Sequence, residues 1–150
     1  MKKLFIIGAM LISGSMFAQN DYIELLRSDI QTEKKAIITL NMDFSEQESE
    51  LFWPMYNDYQ HEFGKIQDEL LVLIKDYASN YEGMTDEIAK ELWTRNQAID
   101  TKKMNLDKKY FKVMDKVLST KTVVKFFQIE NRLEKLLDLQ LASELPLIQK

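Results

Sequence analysis

Eight residues, Phe52, Tyr56, Tyr59, Phe63, Ile66, Leu70, Leu73 and Tyr77, follow one another at alternating steps of four and three. A stripe of that period lies along one side of an α-helix and cannot alternate across a strand. It therefore fixes a long helix in the middle of the chain. The residues before it supply the start. Ser45 stands at an N-cap position, Glu48 completes a capping box, and Glu46 and Glu50 suit the positive helix end. The pattern predicts a helix over 45–79, roughly 52 Å long at about 1.5 Å per residue. Pro54 lies inside it and is expected to kink its first turns.

Only four Gly and two Pro occur in 150 residues, too few turn formers for an all-β sandwich. Further helices are expected over 21–41, 85–117 and 119–143, with Asn80 to Thr85 as a loop containing Gly83. In the third, Leu92, Ile99, Leu106 and Val113 recur every seven residues, with Asn96, Lys103, Tyr110 and Val117 as companions. That stripe is polar in its first half. A buried lysine without a partner is expensive, so Asn96 and Lys103 are expected to face water or a groove. The fourth helix is apolar on more than one face, which requires burial on several sides or contact with a partner. The expectation is an all-α protein with one helical domain over 19–150.

Residues 1–18 read as a signal peptide: Lys2 and Lys3, an apolar run from Leu4 to Ile12, then small and mixed residues to Ala18. Cleavage after Ala18 gives a start at Gln19, whereas cleavage after Ser15, with Ser13 at −3, fits the small-x-small rule better. An uncleaved anchor is the other reading. With no cysteine, the chain has no disulfides, no thiolate sites and no lipoprotein anchor, so stability in an oxidising compartment must come from packing. A periplasmic location is expected.

Catalytic and metal chemistry find little support. The single histidine, His61, follows Asp58 at a one-turn spacing and precedes Glu62, but helical di-metal sites need a second such pair. No phosphate loop or nucleophile elbow is present. The expectation is no enzyme, no metal and no cofactor. Charge is more informative. Residues 19–89 carry 5 Lys/Arg against 16 Asp/Glu, and residues 90–125 carry 10 against 4. Either an acidic helix packs beside a basic one, within one molecule or between two, or a basic stripe attracts partners. In the second reading Lys102, Lys103, Lys109 and Lys116 draw in unfolded clients, and Trp93 and Phe111, off the heptad positions, give apolar contact. An exported, acidic chain is not expected to bind nucleic acid.

An internal echo completes the pattern. Phe44-Ser45-Glu46-Gln47-Glu48 precedes Phe52-Trp53, and Leu118-Ser119-Thr120-Lys121-Thr122 precedes Phe126-Phe127 with identical spacing. Each unit places an apolar residue, a Ser cap, a polar residue three later and an aromatic pair. These residues, with the string Phe52-Trp53-Pro54-Met55-Tyr56 and the ending Leu139 to Pro146, resemble the LTxxQ repeats of the Spy/CpxP family of periplasmic helical proteins in their Bacteroidetes-type form. Phe44-Ser45 and Leu118-Ser119 stand for Leu-Thr, and Glu48 and Thr122 stand for the usual Gln; the helix-start role survives these changes. The resemblance implies an elongated four-helix cradle, often an antiparallel homodimer. It implies an ATP-independent chaperone for unfolded or stressed envelope proteins. The alternative is a regulatory or sensory subunit for an envelope stress-signalling partner, metal-responsive forms included.

Overall fold

The computed structural model describes residues 33–148. The expected signal peptide, 1–18, and most of the first expected helix lie outside them. The chain divides into two units, Met1–Ile37 and Ile38–Lys150. The described part of the first, 33–37, is helical. The second contains the three long helices and the core residues from Ile38 onward.

Every regular element among the described residues is a helix, without a strand: α1 over 33–42, α2 over Glu46–Asn80, α3 over Asp86–Met114 and α4 over Thr120–Glu144. Each start has a local cause. Ser45 Oγ accepts from the Glu48 N–H at 3.2 Å, while a Glu48 carboxylate oxygen accepts from the Ser45 N–H at 3.0 Å. Thr85 and Ser119 cap α3 and α4 through the N–H groups of Ile88 and Thr122. Between α1 and α2 the chain turns at Asp43, whose φ of 51° is left-handed. α2 runs through Pro54 without a break.

The expected stripes become two apolar clusters. The larger gathers Ile38 and Met42, then Phe52, Tyr56, Tyr59 and Phe63 of α2, Leu106, Tyr110 and Met114 of α3, and Val123 and Phe126 of α4. Phe52 meets Phe126 edge-to-face at 5.1 Å, and Tyr59 stacks on Phe63 at 5.8 Å. The smaller cluster holds Leu73, Leu92 and Ile99, with Ile66, Leu70 and Tyr77 beside them. It draws on α2, α3 and, through Met84, the loop between them, and on no residue of α4. α4 thus joins the core by its N-terminal half only.

One expectation needs correction. α3 ends at Met114 rather than 117, and Lys116 and Val117 lie in the turn before Ser119. Val113 and Val117 are exposed, and Met114 takes the core position instead. A strict seven-residue spacing drifts by about 20° per heptad on a straight helix. After Leu106 the buried face therefore moves to Tyr110 and Met114, at steps of four. On the α2 stripe, Tyr56, Tyr59 and Phe63 are buried in the chain's own core, while Leu70 is half-buried.

Candidate functional site

The two halves of the sequence echo touch. Thr122 Oγ1 donates to Glu48 Oε1 at 3.3 Å, joining the two helix starts that carry Phe44, Ser45, Glu48, Leu118, Ser119 and Thr122. Glu48 is held below the usual carboxylate range, chiefly by the Ser45 N–H and then by the Ser45 hydroxyl. Phe44 packs on Phe52 at 4.5 Å, and Leu118 is buried. The motif is therefore a structural joint between α2 and α4.

Below it lies a polar layer. Glu130 of α4 is 1% exposed and accepts from Gln60 Nε2 at 3.1 Å. Tyr59 Oη donates to Asp107 at 2.9 Å, and Tyr110 Oη donates to Glu62 at 2.8 Å. Burial, reinforced by Glu130, raises the Tyr56 and Tyr59 hydroxyls well above the ordinary tyrosine value. Lys103 makes an ion pair with buried Glu134 and a longer one with Asp107 at 3.5 Å. Burial alone would lower its pKa, but these two carboxylates outweigh it and the value rises.

The acidic second helix and basic third are thus complementary inside one molecule. Lys102 pairs with Glu69 at 2.5 Å, Lys109 with Glu62 at 2.6 Å and Arg95 with Asp76 at 2.7 Å. Of the four lysines expected to attract clients, only Lys116 makes no ion pair among the described residues. The six candidate residues do not form one patch. Trp93 is 66% exposed at the far end of α3. Phe111 is half-buried against Phe127 at 6.0 Å, in a notch with Lys108, Lys112 and Asn131.

Where α4 leaves the core, a groove opens between its C-terminal half and the α2–α3 hairpin. One stretch, about 560 Å³, is mixed: Ile66 and Ile99 share it with Asp100, Lys103, Glu134 and Asp138. The next, about 380 Å³, is apolar: Leu73, Tyr77, Leu92, Trp93, Leu141 and Leu145 line it. Leu70, Asn96 and Asp138 line both, so the two are continuous. Asn96 and Lys103 face a groove, as their places on the α3 stripe suggested. Sequence reasoning missed Glu130 and Glu134. Their signal was the spacing Val123, Phe126, Glu130, Glu134, Leu137, which puts two carboxylates on the core-facing side of α4.

No family model, curated protein or solved structure matches this chain. His61 is exposed, and no group of three or more potential metal-ligating side chains occurs among the described residues. No described helix is long and apolar enough to cross a membrane.

Proposed function

We propose that this chain is an exported periplasmic binding protein of Spy/CpxP type, an ATP-independent chaperone-like holdase for unfolded or stressed envelope proteins. One observation carries the reading. The C-terminal half of α4 is apolar beyond what its own core uses: Leu136 is 64% exposed and Leu139 69% exposed, on a helix that also lines the groove. Exposed apolar surface of this kind marks interaction sites and suits loose, adaptable contact. Recruitment by charge falls to Lys108, Lys112 and Lys116, since Lys102, Lys103 and Lys109 are engaged internally. A homodimer belongs to the same proposal, formed through exposed side chains such as Val72 of α2 rather than through the stripe.

The purified mature protein should slow aggregation of a denatured test protein at near-stoichiometric ratio without ATP. Leu136→Ser with Leu139→Ser should weaken protection while leaving the melting temperature nearly unchanged, because both side chains are solvated. Absence of protection at large molar excess would sink the reading. Sedimentation showing only a monomer at micromolar concentration would remove the dimer.

A further inference from the structure

We propose that the groove between α4 and the α2–α3 hairpin binds a small cationic amphiphile, a molecule with one linear apolar chain and one protonated or quaternary amine. This rests on the groove alone and holds whether or not the protein is a chaperone.

Shape comes first. The two stretches, about 560 and 380 Å³, are each in the size range of small-molecule sites and run into one another at Leu70, Asn96 and Asp138. One end offers apolar walls and the other offers charge, so a fitting ligand must have two unlike ends. The apolar end is braced at its rim. Tyr77 Oη donates to the Pro146 carbonyl at 2.5 Å, and Tyr81 Oη donates to the Leu147 carbonyl at 3.1 Å. These bonds tie the segment after α4 to the end of α2 and keep the groove from splaying.

Charge then decides the head group. Lys103, inside the polar stretch, is held by Glu134 and Asp107. Lys108 stands at the opposite margin, where the polar stretch meets the Phe111 notch. At the junction with the apolar stretch, Asp100 accepts only a 3.4 Å bond from Asn96, and Asp138 makes no hydrogen bond or ion pair among the described residues. Two carboxylates therefore stand where the apolar walls end, and the nearest cation acting on Asp138, Lys103, is already paired with Glu134 and Asp107. An anionic head would meet like charge there, and a neutral head would leave both carboxylates uncompensated. Trp93 sits on the same face of α3, three and seven residues before Asn96 and Asp100, and offers an open ring face to a cation.

Trp93 also supplies the readout. In a Trp53→Phe background it is the sole tryptophan. Dodecyltrimethylammonium, dodecyl sulfate and dodecyl maltoside are titrated below their micelle concentrations, with tetramethylammonium as the head group alone. Helical circular dichroism is followed throughout. The expected result is saturable one-to-one binding of the trimethylammonium probe with the helical signal intact. Dodecyl sulfate, dodecyl maltoside and the bare head group should bind more weakly by about tenfold or more. Asp100→Asn with Asp138→Asn should weaken the cationic probe by a similar factor and leave the maltoside unchanged. Leu141→Ser should weaken all three chain-bearing probes. Equal affinity for sulfate, unchanged affinity in the Asn variant, or binding only with loss of helix would overturn the proposal.

Discussion

Burial, more than proximity, ranks the ion pairs of α3. Lys102–Glu69 and Lys109–Glu62 have side chains 52%/47% and 54%/37% exposed, so water screens both and each contributes under about 1 kcal/mol. Lys103–Glu134 is 30%/9% exposed, and Lys103 also reaches Asp107. Lys103→Met should therefore cost about 2 kcal/mol, the scale of a lost hydrogen bond to a charged group, and more than Lys102→Met or Lys109→Met. Urea denaturation of the three variants ranks them; equal losses would show that burial does not set the order. Asp43 is a second residue whose identity matters for a local reason. Asp tolerates its left-handed φ of 51°, whereas a β-branched side chain crowds its own backbone there. Asp43→Val should destabilise by about 1–3 kcal/mol, and Asp43→Gly should not, since the Lys125 pair it loses is exposed.

Helix starts are local, and for that reason they were legible. Ser45 with Glu48, and Ser119 three residues before Thr122, announce α2 and α4 in the sequence and appear at those places in the structure. Ser45→Ala and Ser119→Ala should each cost about 1 kcal/mol by leaving a helix N–H unsatisfied, read as a lower denaturation midpoint with unchanged slope. The contact between Glu48 and Thr122 could not be read from either motif, because it depends on where α4 docks. The seven-residue repeat of α3 was legible as far as Leu106. Beyond it, helical drift and the end of the helix at Met114 decided which face was buried. The groove was half legible. Asn96 and Lys103 on an otherwise apolar stripe signalled a polar opening. Its other wall, Asp138, Leu141 and Leu145, was hidden by the fourth helix being apolar nearly all round, a pattern that does not say which face stays open.

Across the whole molecule, the shifted groups divide into opposing sets that fix how stability responds to pH. Glu48 and Glu62 both lie below the ordinary glutamate value of 4.5, Glu48 through Ser45 and Glu62 through Lys109 and then Tyr110. A depressed carboxyl contributes stability that is full above its unfolded value and lost as pH falls through its folded one. Lys103 lies above 10.5, so its contribution is full below that value and lost as pH rises through the folded one. Asp138 works the other way: burial raises it, outweighing a pull from Lys103, with a still smaller push from Asp100, so its ionisation opposes folding above its folded pKa and the penalty vanishes in acid. The melting temperature should form a plateau between about pH 5 and 10 and fall on both sides. Glu62→Gln should lower the plateau and flatten the acid edge, because the variant no longer has that proton to bind. Asp138→Asn should raise the plateau, with the difference from the parent closing as pH drops through the Asp138 value. Melting curves of the three proteins from mildly alkaline to acid pH provide the check. An Asp138→Asn protein no more stable than the parent at neutral pH would show that this carboxylate is not strained where the groove narrows from polar to apolar.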